Sequence, residues 1–297
     1  MVTLTGTWPD STDTFWIIKD GNNIRVKSEK NTGITRSVIL DSSDYPELTQ
    51  PLRIFQRGID LEFVPQACVD YDGNIYDAIK ISGEDDSGST TRQINQLWTI
   101  QNLKATHNRL GKLIQIRTTQ SSSPSIYQPS VLWPEEYGIV YNWYAAHGSE
   151  NDQSDSVIPE GWRLPSQDDY TTLSNFLRGN LSFSSDGETE LYLAKAACSK
   201  NGWNTTTITY TPGCNRELNN TSLLGLTPSG YWVSGASTSV GDISRYWLSD
   251  NGSGGNNYAR WWGYSNSTQY NKNLIYSSSG MVKAGGAAVR CVKDISQ

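Results

Sequence analysis

YWLSDNGSGGNNYARWWGYSNSTQYNKNLIY, residues Tyr246 to Tyr276, sets Trp247, Trp261, Trp262 and a series of tyrosines among Asn, Ser and Gly. A run of small and apolar residues, AAVRCVKD, follows at Ala287–Asp294. The first stretch reads as a display surface and the second as its anchor. Asn, Ser and Gly supply turns and adaptable hydrogen bonds, while Tyr and Trp give large, rigid contact area at low entropy cost, the composition of antibody-like binding surfaces. An ordinary sheet core with Asn/Gly loops is the competing reading, because aromatics are also common in strands. Binding is preferred because Val, Ile, Leu and Met are all missing between Ala259 and Tyr270. Strand alternation would send every second residue outward. The ligand-contacting set is therefore expected among Tyr246, Ser249, Asn251, Asn256, Asn257, Tyr258, Arg260, Trp261, Tyr264, Asn266, Tyr270 and Asn273.

Working outward, 297 residues are enough for two domains with real cores. Mean hydropathy is −0.53, low for a globular enzyme, yet eleven Trp and sixteen Tyr let aromatics carry much of the burial. A net charge of −6 without a Lys/Arg cluster removes the electrostatic footprint of a nucleic-acid partner. No apolar run approaches the ~18 residues of a membrane span. The opening MVTLTGTWPDSTD also lacks the regions of a signal peptide.

Residues 1–58 read as short strands with turns, the clearest being Asp20-Gly21-Asn22-Asn23. They are expected to form a small all-β, immunoglobulin-like sandwich. The stretch ending Gln56-Arg57-Gly58 resembles the close of the BACON family of such domains. Residues 59–66 are expected to be a linker, and 67–297 a ligand-binding domain. Within the latter, Ser166 is placed to cap a helix whose apolar face is Tyr170, Leu173, Phe176 and Leu177. A second helix is expected over ETELYLAKAACSKNGW, ending at Asn201-Gly202. The C-terminal segment around Val289-Arg290-Cys291 is expected beside Asp72 to Ile81.

The order of motifs over Cys68–Asp294 is specific. Asp72-Gly73-Asn74 precedes Trp98 and Asn102-Leu103; Tyr141-Asn142-Trp143-Tyr144-Ala145, Gly161-Trp162-Arg163-Leu164-Pro165 and Gly230-Tyr231 follow, and Val289-Arg290-Cys291-Val292-Lys293-Asp294 closes the series. This order resembles the Fibrobacter succinogenes major paralogous domain family, whose members are similar to C-type-lectin-like folds. The resemblance implies an α+β C-type-lectin-like domain after the small β domain. It also implies a Cys shortly before Pro159, where this chain has Val157-Ile158, so that Cys291 lacks its expected partner.

Catalytic signals are weak. His107 and His147 are the two histidines, and neither lies near a nucleophile motif, so both read as surface imidazoles. The four cysteines show no metal-ligand spacing. Cys198 with Cys214 is the pairing to test in an oxidising compartment, with four buried thiols the equal alternative. The incomplete triplets Gln128-Pro129-Ser130 and Trp203-Asn204-Thr205 argue against a calcium-lectin site, and neither metal nor cofactor is expected.

Variable proteins of diversity-generating retroelements are also C-type-lectin-like and carry their variable residues near the C-terminus. The Asn/Tyr/Ser/Gly alphabet of Asp250–Tyr276 resembles theirs. The expectation is a non-enzymatic, extracellular recognition protein on a bacterial surface or phage virion, with a protein or glycan ligand on a cell surface. The alternatives are a glycan-acting or formylglycine-generating-type enzyme, or a structural adhesin module.

Overall fold

A computed structural model describes residues 2–8, 12–21, 23–29, 31, 36–41, 43–48, 52–56, 58, 60–85, 92–127, 133–148, 153–180, 193–265 and 274–295. The chain divides into two compact units, Met1–Glu62 and Phe63–Gln297. The boundary falls inside the strand Leu61–Val69, so most of the expected linker over 59–66 is strand.

The first unit is all-β among its described residues. Val2–Thr7, Thr14–Asp20 and Asn23–Ser28 form a three-stranded antiparallel meander, and Asp20 stands opposite Asn23 across a turn in which Gly21 takes φ +59°. The positive φ is the reason that turn uses glycine. Arg36–Leu40 pairs separately with Leu52–Gln56. Trp8, Phe15, Ile17, Leu40, Leu48 and Ile54 form one small core, with Phe15 and Ile17 on the same face of their strand as period-two alternation requires. The meander and the hairpin thus pack on one shared core as two small sheets, giving the expected small all-β domain among the described residues.

The second unit corrects the fold class. The whole chain has eighteen strands and three α-helices among its described residues, so it is predominantly β, and the α+β C-type-lectin-like architecture is not what forms. The helix after Pro165 exists, Gln167–Asn180, with Tyr170, Leu173, Phe176 and Leu177 all buried. Its start is a reciprocal cap: Ser166 Oγ accepts from Asp169 N at 3.2 Å, and Ser166 N donates back to an Asp169 carboxylate oxygen at 2.7 Å. The second expected helix is described only as Leu193–Ala197. All five of its residues are buried, so the segment plugs the core rather than lying amphipathically on it, and Cys198 then bridges to Leu226 as extended chain.

Three sheets carry this unit. Val292–Asp294, Arg92–Thr99, Ile75–Asp85 and Leu61–Val69 form a four-stranded sheet in that order. A six-stranded sheet runs Ala236–Thr238, Tyr231–Val233, Gly286–Ala287, Val140–Asn142, Ser125–Tyr127, Gln115–Ile116. The third sheet is a meander of Ile243–Asn251, Tyr258–Ser265 and Ile275–Val282. The C-terminal strand pairs directly with Arg92–Thr99, Val292 opposite Trp98, and Trp98 faces Ile79 on the strand beyond. Val289–Cys291 therefore lies near Asp72–Ile81 as expected, in the same unit and with Tyr76 and Ala78 in one core, although the strand Arg92–Thr99 stands between the C-terminal strand and Ile75–Asp85.

Arg290 fixes this closure. Its fully buried guanidinium donates through Nε to Asn102 Oδ1 at 2.6 Å, through one Nη to the carbonyls of Thr99 and Leu224 at 2.9 Å each, and through the other to Gly225 O at 2.9 Å. A buried charge costs stability unless its donors are met. Here three backbone carbonyls and an amide meet them, joining the C-terminal segment to two distant loops.

Candidate functional site

The meander Ile243–Asn251, Tyr258–Ser265, Ile275–Val282 contains the stretch that opened the sequence reading, and both of its faces are covered. On one, Trp262 packs edge-on to Trp98 at 5.8 Å and tilted against Tyr170 and Tyr246 at 5.8 and 5.0 Å, while Tyr264 meets Trp203 edge-on at 5.2 Å. On the other, Trp247 and Trp261 join a core with Tyr141, Trp143 and Val289. Trp247 Nε1 donates to Tyr141 O at 2.8 Å. Offset and edge-on rings bury large area with favourable quadrupole contacts, which explains how the middle strand Tyr258–Ser265 dispenses with Val, Ile, Leu and Met.

This overturns part of the expected contact surface. Tyr246, Tyr264 and Trp262 are 0% exposed and Trp261 is 8% exposed, so the aromatics of these strands are core. Tyr246 also accepts a hydrogen bond from Thr227 N. Ser249, Tyr258 and Arg260 are half-buried, and Asn251, Asn256 and Asn257 are exposed. Asn266, Tyr270 and Asn273 lie outside the described residues. Asn251 ends the first strand, and Asn256 and Asn257 belong to its connection to the second, which is tied back to the sheet edge. Ser253 N donates to Ser278 O at 2.9 Å, Gly254 N to Ser279 O at 3.2 Å, and Lys283 N to Asn257 O at 2.7 Å.

Beside that connection the structure opens a groove of about 610 Å³ between the helix Gln167–Asn180 and the edge strand Ile275–Val282. The helix contributes Tyr170, Thr171, Ser174 and Asn175; the sheet contributes Trp261 and the run Leu274, Ile275, Tyr276, Ser277, Ser278, Ser279. Register sets the wall, since Tyr276 stands opposite Trp262 and Ser277 opposite Trp261. The helix is held at its start by Gln167 N donating to Asp250 Oδ2 at 2.6 Å and by Ser249 N donating to Pro165 O at 2.9 Å. Arg163 fastens the same corner, bonding both carboxylate oxygens of Asp169 and, at 2.6 Å, Asp294. Burial alone would raise the Asp169 pKa, but hydrogen bonds from Arg163 and Ser166 outweigh it and hold the carboxyl below its usual range.

Chemically the groove offers ring faces, hydroxyls and one amide. Among the described residues that line it there is no carboxylate, imidazole, thiol or amine, and the groups they do present suit hydrogen bonding to a polar ligand. Tyr276 is 43% exposed and lies 5.7 Å from the Tyr170 ring, presenting an aromatic surface at the mouth. Sequence reasoning placed Trp261 here but missed Tyr170, Asn175, Tyr276 and the serines at 277–279. The signal available was the Tyr-Ser-Ser-Ser run itself, polar on both faces, as an edge strand can be.

Titratable groups elsewhere form closed clusters. Asp72 accepts from His107 Nδ1 at 2.5 Å and from the Thr106 backbone N and hydroxyl. Burial would raise the Asp72 pKa, and these bonds lower it on balance. His107 is thus clasped in a turn rather than free at the surface, and His147 stacks on Trp143 at 4.1 Å and is half-buried. All four cysteines are free thiols in the structure, Cys198 unlinked to Cys214; burial, with the Asp70 charge second, pushes the Cys68 pKa up to about 12. Gln128–Ser130 lie outside the described residues, among which no cluster of three His, Cys, Asp or Glu could hold a metal. No described helix is long and apolar enough to cross a membrane.

The Fibrobacter succinogenes major domain profile matches residues 93–293, more than half the chain, and the protein belongs to that family. The match begins in the strand Arg92–Thr99 and ends in Val292–Asp294, so it spans the two strands that pair to close the second unit. Comparison with curated proteins and with solved structures found no match.

Proposed function

We propose that the protein is a non-enzymatic recognition protein whose groove between Gln167–Asn180 and Ile275–Val282 binds a polyhydroxylated ligand, a glycan on a cell surface. One observation carries this reading: among the described residues the groove combines the exposed Tyr276 ring, backed by the buried Tyr170 and Trp261, with Thr171, Ser174, Asn175 and the Ser277–Ser279 hydroxyls, and with no carboxylate, imidazole, thiol or amine. Aromatic faces with a few convergent polar groups are the usual furniture of small-ligand sites. Asn251 at the end of its strand, and Asn256 and Asn257 on the connection bonded to Ser278 and Ser279, are exposed and extend the contact surface at one end. An extracellular location, and diversification of these turn positions by a retroelement, belong to the same proposal. A near-identical downstream DNA repeat differing at adenines tests the diversification.

The binding test is a glycan array with the wild-type protein, followed by Tyr276→Ala and Asn175→Ala. Truncating a binding anchor costs ~2 kcal/mol or more, so affinity should fall at least about thirtyfold for Tyr276→Ala by the same conversion. Undiminished binding by both variants would place the ligand elsewhere, and the groove reading would fail.

A further inference from the structure

Six of the twelve large apolar side chains that stand exposed among the described residues sit on two short segments of the second unit. Val69, Tyr71 and Ile75 lie in or beside the turn Asp70–Asn74, and Leu110, Leu113 and Ile116 recur at every third residue farther on. The two segments are fastened together. Asp72 accepts from the backbone N–H groups of Thr106 and His107, His107 bridges to Leu113, and the Tyr71 ring lies so close over Gly111 that a Cβ there would collide with it. Leu110 sits in a tight turn, Asn108–Lys112, closed by Asn108 N donating to Lys112 O and Gly111 N to Asn108 O, each at 2.9 Å. At 65% it is the most exposed large apolar residue among those described, and Ile116 follows at 62% on the outermost strand of the six-stranded sheet.

The charge interleaved with these side chains has one sign. Residues 109–117, RLGKLIQIR, hold three cations and no carboxylate. Arg109 donates to Ile158 O at 3.0 Å, but Lys112 and Arg117 are exposed and take part in none of the ion pairs among the described residues. The neighbouring carboxylates are engaged: Asp72 by His107 and Thr106, Asp70 by Tyr76 and Asn74, and Asp155 by Asn108. On a chain of net charge −6, this corner thus combines apolar tips with a local positive potential.

We propose that Tyr71, Leu110, Leu113 and Ile116, with Lys112 and Arg117, form a surface that docks the second unit on an anionic lipid bilayer without spanning it. The apolar tips enter the acyl boundary, the tyrosine ring rests at headgroup level, and the two cations meet anionic headgroups. A bilayer is favoured over an acidic protein because the four apolar side chains, each more than half exposed, project from turns and a sheet edge instead of sharing one packed face. None of these residues lines the groove described above, so docking and ligand binding are separate properties.

The full chain is floated with phosphatidylcholine vesicles, with and without phosphatidylglycerol, at about 50 and about 300 mM NaCl, on either side of the ionic strength at which surface charges are screened. The wild type should favour the anionic vesicles about thirtyfold, from about 1 kcal/mol for each of two cations. High salt should reduce that preference. Lys112→Gln with Arg117→Gln should abolish it, and Leu110→Ser with Leu113→Ser should weaken binding to anionic vesicles at least about tenfold, as expected for apolar side chains that leave water. Tyr276→Ala, altered in the groove, should bind vesicles as the wild type does. No binding to anionic vesicles, equal binding to both compositions, or undiminished anionic-vesicle binding in either double variant would overturn the proposal. So would binding of polyglutamate that matches binding of the anionic vesicles, which would mark the surface as a site for an acidic polypeptide. Should a double variant not fold, the wild type decides alone, and a preference indifferent to salt overturns the proposal equally.

Discussion

Trp262→Ala decides whether the tryptophan pair of the meander is core or display. Trp262 is fully buried and touches three rings, those of Trp98, Tyr170 and Tyr246, at 5.8, 5.8 and 5.0 Å. Removing a buried aromatic to Ala costs about 3–5 kcal/mol, transfer and cavity together. Each ring pair is worth about 0.5–1.5 kcal/mol beyond area, so the loss of three pairs argues for the upper half of that range. The indole Nε1 has no partner among the described residues, so Trp262→Phe strands no acceptor. It should cost only about 1–2 kcal/mol for lost volume. For a unit of this size, each kcal/mol shifts Tm by about 2–4 °C, which makes the Ala variant roughly 8–20 °C less stable. Urea and thermal unfolding followed by circular dichroism measure both. A cost below about 1 kcal/mol for Trp262→Ala, the range of surface substitutions, would refute the aromatic core and return the side chain to solvent.

Arg290→Met should be more damaging than its apolar, similar-length side chain implies. It leaves the carbonyls of Thr99, Leu224 and Gly225 and the Asn102 amide oxygen without their donor. Each orphaned buried group costs about 1–3 kcal/mol, so loss of cooperative unfolding is the expected result and a wild-type Tm would refute it. Asp169 gives an acid-sensitive contribution: its folded pKa lies below the unfolded value, so the stability it supplies is present above about pH 4 and disappears as pH falls through the folded pKa. Tm measured from pH 7 to pH 3 should therefore fall less in Asp169→Asn than in wild type, from a lower starting point. A fragment of residues 63–297 should unfold cooperatively on its own, since it holds three sheets and a separate core; a fragment without a cooperative transition would contradict the division into units.

What could be read from the sequence was local chemistry. The Asp20–Asn23 turn, the Ser166 cap and the Tyr170/Leu173/Phe176/Leu177 stripe form as their spacing requires, because each depends on contacts within a few residues. The ordered motifs over the second unit led to the family. The display surface was misread for a definite reason. Alternation assigns one face of a strand to solvent only when the other side is open, and here Trp98, Tyr170 and Trp203 cover the face that would have been outward. Those rings lie about 60 to 160 residues away in sequence, beyond any local pattern. For the same reason the groove was invisible: Asn175 and Ser277 become neighbours only when the helix docks beside the edge strand.

The pairing of Val292 with Trp98 has a consequence for biosynthesis. A chain made from its N-terminus exposes Arg92–Thr99 almost two hundred residues before the strand that completes their sheet, and Arg290 arrives equally late at the carbonyls of Thr99, Leu224 and Gly225. Contacts so distant in sequence slow folding, because the loop must close before it is rewarded. The first unit, built from neighbouring hairpins, can form while synthesis continues. The second waits with an open sheet edge at Arg92–Thr99, so the interval between emergence of Thr99 and of Asp294 is when the nascent protein is most exposed to mispairing and in greatest need of chaperone cover.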